Sequence, residues 1–365
     1  MKRKLHYILI TLLIGILILS LQTPSTSSNG CGTGTPRDKH RWPFSCDSIW
    51  NMPIGSKAQY VPANISKAKW ITPEVNYYIV TSNSDRLVPW YVTQNWGVGR
   101  CQLGGAYLGQ INVPDNLVVP DATENSTPNN AAAFLHPDGR TLIQMNPLTR
   151  CQAGGPVFGY PTPGEIENYE NIYGQGITGG QGGSGLSSIG GTIRLGELQP
   201  SAPPIHHTLK LLVRASQYLY KEPPGYRWPA VRADDYAFEQ TSSVRYGGSN
   251  PNLVMGSLLA IPPSVIEASL GLTTVPGKKL FHALQDYGGY IVDDTAWENH
   301  AIAVEKEVVE EFFSAYGYTF ASNSGAFYED VNKLFQALHI VNNNGPNSIG
   351  GGGTPRQPLA PPIGN

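Results

Sequence analysis

The stretch GGTIRLGELQPSAPPIHHTLKLLV, residues 190–213, decides the fold class that the sequence predicts. Successive side chains of a β-strand point to opposite faces, so alternate residues show what each face carries. In IHHTLKLLV one face is apolar apart from His207, while the other carries His206 and Lys210. Prolines and glycines precede this segment, which is typical of strands joined by turns. We therefore predict a strand here whose apolar face is buried.

Composition extends the β prediction to the rest of the chain. The 365 residues include 41 glycines and 30 prolines, which interrupt helices, and 19 tyrosines, which favour strands. Three later segments have the apolar spacing of amphipathic helices, namely residues 280–288, 301–317 and 328–341. The predicted fold class is mainly β, a β-sandwich of jelly-roll-like type with two or three C-terminal helices packed against it.

The ends of the chain differ from its middle. Residues 1–22 carry a Lys-Arg-Lys cluster before a short apolar run, which predicts a signal peptide or a membrane anchor and hence a secreted or cell-surface protein. We interpret residues 23–39 as a linker and residues 40–342 as a single β-rich extracellular domain with late helices. Residues 343–365 are rich in glycine and proline and are predicted to be a disordered tail.

Four cysteines predict two disulfides in an exported chain, with three pairings open. The sequence Arg-Cys-Gln-x-Gly-Gly occurs around Cys101 and again around Cys151, which favours the pairing Cys101–Cys151. Cys31 and Cys46 then form the second bond. A zinc site is the alternative, but it lacks a C-x-x-C motif and a nearby histidine pair.

Charge and glycine patterns exclude some classes of ligand. The net charge is −2, without the basic stripe that nucleic-acid binding needs. Residues 174–191, GQGITGGQGGSGLSSIGG, contain G-x-G-x-x-G, but no helix-forming sequence follows as dinucleotide binding requires. We interpret this run as a loop laid over the sheet, with a loop that lines a ligand cleft as the alternative. No organic cofactor is predicted.

Glu197 and His207 are the first catalytic candidates, because both alternate onto the apolar side of predicted strands. If they meet in a cleft, they form an acid/base pair of the kind that burial tunes for proton transfer. Arg194 would then hold a uronate or orient Glu197. Alternatively, His207 is a core histidine bonded to a backbone carbonyl or a carboxylate, and Arg194 pairs with an acid at a sheet edge. Sequence spacing leaves both readings open.

Asp293 and Trp228 complete the candidates. Asp293 and Asp294 end a predicted strand, and two carboxylates are what glycoside hydrolysis uses. The same pair suits a structural calcium ion or a helix cap. Trp228, in YRWPAV, is either a surface for stacking a sugar ring or a core residue.

Several sequence blocks occur in a fixed order between residues 46 and 300. They read SIWNMPIG, GGTIRLGEL, IHHTLKLL, RWPAV, NLVMGSLLAIP and LFHALQDYGGYIVDD. In these blocks the chain resembles a widespread group of exported bacterial proteins to which no activity is assigned. The resemblance implies an exported β-rich domain but no particular reaction. It covers, residue by residue, Arg194, Glu197, His207, Trp228, Met255, Tyr287 and Asp293.

The group usually has arginine at position 206, so His206 departs from its pattern. This departure favours His207 as the functional histidine. The segment after about residue 300 lies outside the resemblance.

These features together predict an exported protein that acts on extracellular polysaccharide by hydrolysis or β-elimination. Glu197, His207 and Asp293 are the catalytic candidates, and Arg194 and Trp228 are the substrate-binding candidates. The alternatives are a carbohydrate-binding module without turnover and a structural component of the cell surface that self-assembles. The step from a β-rich fold to carbohydrate is an analogy, since a fold does not fix a function.

Overall fold

A computed structural model describes residues 30–161, 170–295 and 297–364. The predicted signal or anchor, residues 1–22, lies outside these ranges. Residues Cys31–Asn365 form one compact unit. The prediction of a mainly β fold with few helices is confirmed.

Strands account for most of the regular structure. They are β1 (Tyr60–Pro62), β2 (Trp70–Val80), β3 (Arg86–Tyr91), β4 (Tyr107–Val113), β5 (Ala132–Leu135), β6 (Thr141–Thr149), β7 (Val157–Pro161), β8 (Glu170–Asn171), β9 (Thr178–Gln181), β10 (Leu209–Val213), β11 (Leu258–Ala260), β12 (Gly289–Asp294), β13 (Asn299–Glu305) and β14 (His339–Val341). The helices are α1 (Ala215–Tyr218), α2 (Glu267–Leu270), α3 (Val275–Asp286), α4 (Lys306–Tyr316) and α5 (Ala326–Ala337).

The strands join in one mixed sheet of 13 strands, in the order β1-β14-β11-β12-β10-β13-β2-β5-β6-β7-β3-β4 with β8 beside β6. Four neighbouring pairs are parallel, namely β10 with β12, β13 with β2, β2 with β5, and β3 with β7. A jelly roll is antiparallel, so the connectivity differs from the one we expected. Parallel neighbours need long crossovers, and α1 to α3 lie in the segment that connects β10 to β12.

The strand predicted from the opening stretch is present as β10, and every residue of it is buried. β10 pairs with β12 on one edge and β13 on the other, and the residues on both of its faces are buried, including Lys210. Alternation along the sequence therefore identified the strand but not the burial of its polar face. A strand covered on both faces is typical of the parallel part of a sheet.

The late helices are shorter than the apolar spacing predicts. The first part of the predicted helix 301–317 belongs to β13, and the helix α4 begins only at Lys306. The alternating sequence of β13 pairs in parallel with β2, and this tertiary pairing outweighs the helical spacing. α4 ends at Gly317, which adopts the left-handed conformation that favours glycine. Likewise, the end of the predicted helix 328–341 is the strand β14.

The two terminal segments pack against each other, which corrects the predicted linker and disordered tail for residues 31–39 and 343–364. Arg37 is only 5% exposed and donates to backbone oxygens of Phe44 and Pro361 at 2.7 and 2.5 Å. Gly32 approaches Leu359 so closely that a Cβ would lie 1.8 Å from its carbonyl oxygen. The prediction considered the composition of each segment separately. In the structure the backbone groups of each segment form hydrogen bonds with those of the other, so both segments are ordered together.

Both predicted disulfides are present, as Cys31–Cys46 and Cys101–Cys151, with Cα–Cα distances of 5.4 and 6.2 Å. They are compatible with an extracellular protein. Among the helices of the described residues, none has the length and apolar content to cross a membrane.

Candidate functional site

A cleft of about 970 Å³ opens where the end of β12, the start of β2 and several loops converge. This volume is in the range of ligand-binding cavities. The lining of the cleft includes Thr72–Val75, the loop 125–130, and Arg232, Asp234, Asp235 and Tyr236 from a second loop. Asp293 and Asp294, at the end of β12, also line it, together with Gly182 and Gly183.

The sheet and the glycine run hold Asp293. Its Oδ1 accepts hydrogen bonds from the backbone N–H groups of Gly183 and Asp294, each at 3.0 Å. Its Oδ2 accepts from Asn129 Nδ2 at 3.2 Å. The side chain is 5% exposed, so these donors replace much of the water that a carboxylate would otherwise bind.

Asp234 lies close to Gly183, the second glycine of this pair. Its Oδ2 accepts a hydrogen bond from the Tyr246 hydroxyl at 2.7 Å. A Cβ on Gly183 would lie 2.6 Å from Asp234 Oδ2, and a Cβ on Gly182 would lie 1.7 Å from Asp293 Oδ2. A side chain at either position would therefore displace one of these carboxylates. Gly180, Gly182 and Gly183 line the cleft, which agrees with the second interpretation of the glycine run.

The cleft carboxyl groups have unusual proton affinities. Burial, together with the charge of Asp293, raises the pKa of Asp234 to about 8. Burial and the charge of Glu74 raise the pKa of Asp293 to about 7, although its two backbone hydrogen bonds act in the opposite direction. Burial also raises the pKa of Glu74 to about 7. These three groups can therefore exchange protons near neutral pH.

Asn129 connects two of the carboxyl groups, since it hydrogen-bonds to the side chains of both Glu74 and Asp293. Lys210 is fully buried and donates to Gln181 Oε1 and to the carbonyl oxygens of Ser187 and Ser188 at 2.9 to 3.1 Å. Burial lowers the pKa of Lys210 well below its usual value, while the charges of Glu74 and Asp293 act against this.

Asp294 has a structural role, although it follows Asp293 directly. Its Oδ1 accepts from the Ala215 N–H at 2.7 Å, at the start of α1, and its Oδ2 accepts from the Tyr236 hydroxyl at 3.1 Å. Both adjacent acids line the cleft, but the carboxyl of Asp294 is held by α1 and Tyr236, whereas that of Asp293 is held by Gly183 and Asn129.

Three aromatic side chains line the cleft and are exposed. Trp96 and Tyr160 are 44% and 36% exposed, and their rings stack with centroids 6.4 Å apart and planes at 14°. Trp297 is 57% exposed. Exposed aromatic rings beside polar groups are typical of surfaces that bind ligands.

The structure brings Glu197 and His207 together, but outside this cleft. His207 Nε2 lies 3.0 Å from Glu197 Oε2, and His207 Nδ1 lies 2.9 Å from the Thr208 carbonyl oxygen. Burial alone would lower the pKa of His207, but the charge and hydrogen bond of Glu197 outweigh it and raise the pKa. The space beside His207 and Arg194 is about 10 Å³, which is the size of one water molecule.

Arg194 and Trp228 also lie outside the residues that line the cleft. Arg194 is 3% exposed, its Nε lies 3.5 Å from Glu305 Oε2, and it donates to the His40 carbonyl oxygen at 2.6 Å. Trp228 is half-buried and packs against a core cluster that includes Trp50. The contacts of Arg194, His207 and Trp228 are those of their structural interpretation, and of the catalytic candidates only Asp293 lines the cleft.

Sequence reasoning missed Asp234 and Glu74. Asp234 lies in a loop, and Glu74 lies in the middle of a strand that shows no unusual pattern. The adjacent acids Asp234 and Asp235 were a signal of the same kind as Asp293 and Asp294.

Among the described residues, no group of three or more His, Cys, Asp or Glu side chains is placed to hold a metal ion. The calcium alternative for Asp293 therefore gains no support from this part of the chain. No protein-family model, no curated protein and no solved structure matches the chain.

Proposed function

We propose that the protein is an extracellular polysaccharide hydrolase and that Asp234 and Asp293 are its catalytic carboxyl groups. One observation carries the proposal: two carboxyl groups with raised pKa values flank the glycines Gly182 and Gly183 in a cleft large enough for several sugar rings. Glycoside hydrolysis needs one protonated and one ionised carboxyl group across the bond. Exposed Trp96 and Trp297 supply surfaces on which sugar rings stack.

The hydrogen bonds support different roles for the two carboxyl groups. Asp293 accepts three N–H bonds, which favour its ionised form, whereas the carboxyl of Asp234 accepts from one donor among the described residues, the Tyr246 hydroxyl. Asp234 therefore keeps the proton and donates it to the glycosidic oxygen as the bond to C1 breaks. Asp293 accepts a proton from the water that adds to C1. The products are two shorter glycans, and exchange with solvent restores both groups.

Glu197 and His207 contribute to the fold rather than to this reaction. The Nδ1 of His207 faces a carbonyl oxygen and so carries a proton, and its Nε2 is held by Glu197. Neither nitrogen is free to act on a substrate. β-Elimination is the less favoured reaction, because Glu197, His207 and Arg194 all lie outside the residues that line the cleft.

The second candidate is carbohydrate binding without turnover. The stacked pair of Trp96 and Tyr160 favours it, because such a platform binds sugars whether or not a bond is cleaved. Both proposals assume that the protein is secreted. The N-terminal sequence indicates secretion, and the two disulfides are compatible with it. The structural component that self-assembles has no comparable observation in its favour.

A screen of the purified full chain against a polysaccharide panel tests the proposal. It reads reducing ends for hydrolysis and absorbance at 235 nm for elimination, with oligosaccharide binding measured by calorimetry. Asp293→Asn is expected to abolish reducing-end release while the variant remains folded by circular dichroism. His207→Gln, the control, is expected to keep the turnover of each folded molecule.

Turnover that survives in Asp293→Asn and disappears in folded His207→Gln would transfer the active site to Glu197 and His207. Binding with no product on any substrate would favour the binding module.

A further inference from the structure

The lining of the cleft has a strong excess of acidic groups. It contains five carboxyl groups, those of Glu74, Asp234, Asp235, Asp293 and Asp294. The only cationic side chain among the described lining residues is Arg232. Arg232 donates to the Gly182 carbonyl oxygen at 2.8 Å, and its charge acts on Asp234. The cleft therefore offers little positive charge to a ligand.

The unpaired polar atoms of the lining are a second and independent observation. Asn146 and Asn299 are 7% and 4% exposed, and the Oδ1 atom of each is buried with no hydrogen-bond partner. The Oε1 atom of Glu74 is likewise buried with no hydrogen-bond partner. Arg232 Nε is the one buried side-chain donor without a partner in the described lining. Buried acceptors without partners cost free energy, and a ligand rich in donors relieves it.

From these two observations we propose that the glycan taken by this cleft carries free amino groups. An ammonium group is positively charged and presents three donors and no acceptor, which matches both the charge and the unpaired oxygens of the lining. A uronate presents the opposite properties and would face like charges. The substrate class is thus an N-deacetylated hexosamine polymer. This inference rests on the proposed function of the cleft.

Asp235 is the residue we assign to recognition of the ammonium group. It lines the cleft and is exposed, and it has no hydrogen bond or ion pair with a described residue. Asp294, in contrast, is engaged by Ala215 and Tyr236. Glu239, four residues after Asp235, is equally an exposed acid but lies outside the lining, so it is a matched control.

The test uses the full chain and pairs of glycans that differ only in charge. Glucosamine and galactosamine oligosaccharides in α- and β-linkages are each compared with the same material after N-acetylation, and with oligogalacturonate. Calorimetry gives the dissociation constants and reducing-end release gives turnover. We expect the amino form of one linkage to bind about tenfold more tightly than its acetylated form, with the difference falling at high salt. Asp235→Asn removes most of that difference, and Glu239→Gln leaves it unchanged.

Each outcome decides between the two proposals. Equal or tighter binding of the acetylated or uronate forms overturns the inference, and if those forms are cleaved, the hydrolase proposal survives without it. Tight binding of an amino glycan without cleavage supports the inference and overturns hydrolysis. If no glycan of the set binds or is cleaved, the inference is overturned. An amino preference that Asp235→Asn leaves intact overturns the role of Asp235.

Discussion

Replacement of Asp234 by asparagine is expected to stabilise the protein at alkaline pH while it removes activity. Asparagine keeps an oxygen that accepts from Tyr246, now at 2.7 Å from Asp234 Oδ2, but it cannot ionise. The folded pKa of Asp234 is raised from 3.8 to about 8. A raised carboxyl pKa means that the folded state binds protons more tightly than the unfolded state, so stability falls as pH rises through this window.

The magnitude follows from the pKa shift. One pKa unit is worth about 1.4 kcal/mol, and Asp293 shares the repulsion that is relieved. We therefore expect Asp234→Asn to be more stable than the wild type by about 3 kcal/mol at pH 8.5 and nearly equal to it at about pH 3, below the unfolded pKa of 3.8. For a chain of this length that is about 4 °C in the melting temperature.

Thermal unfolding at both pH values, followed by circular dichroism, measures this effect. Asp138→Asn is a control of opposite sign. Hydrogen bonds from Thr141 and Arg140 overcome the effect of burial and lower the pKa of Asp138 to about 2. This control should therefore lose stability at neutral pH and regain it only below about pH 4. If Asp234→Asn has a lower melting temperature than the wild type at pH 8.5, the argument that the Asp234 carboxyl is buried beside the charge of Asp293 is refuted.

Three further perturbations test other parts of the account. Gly182→Ala places a methyl group against Asp293. We expect turnover to fall by at least about a hundredfold, as it does when a catalytic proton donor or acceptor is lost. The control is Gly317→Ala, at a left-handed position with open space, which should lower stability but leave turnover unchanged. Trp96→Ala should weaken oligosaccharide binding about tenfold, as measured by calorimetry, and leave kcat on short substrates unchanged. An unchanged affinity would contradict the proposal that sugar rings stack on the pair of Trp96 and Tyr160. The double variant Cys101→Ser, Cys151→Ser should have a free energy of unfolding that is lower by about 2 to 4 kcal/mol, measured by denaturant titration. An unchanged midpoint would mean that this disulfide adds nothing to stability.

The sequence allowed prediction of those features that depend on local patterns. The buried face of β10 follows from alternation, and the pairing Cys101–Cys151 follows from a repeated hexapeptide around the two cysteines. The contact between Glu197 and His207 was one of two open interpretations, and the structure brings the pair together. What the contact does could not be read from spacing, because it depends on the Thr208 carbonyl and on the burial of the ring.

The cleft could not be predicted, since its carboxyl groups come from parts of the chain that are distant in sequence. Glu74 lies in β2, Asp234 in a loop and Asp293 in β12, and the parallel pairings that position β2 and β12 leave no local signal. The terminal segments show the same limit. The backbones of Gly32 and Leu359 lie in close contact. The composition of either segment alone does not reveal this contact.

The pH dependence of kcat/KM for the cleaved glycan tests the central claim most directly. If Asp234 and Asp293 act as a coupled acid and base, activity requires one proton on the pair, so the profile should be bell-shaped with its maximum near pH 7 to 8, between the pKa values of about 7 and about 8. Asp293→Asn should remove the activity at every pH, and His207→Gln should leave the shape of the profile unchanged. A profile that follows a single group near the raised pKa of His207, and that changes in His207→Gln but not in Asp293→Asn, would contradict the account.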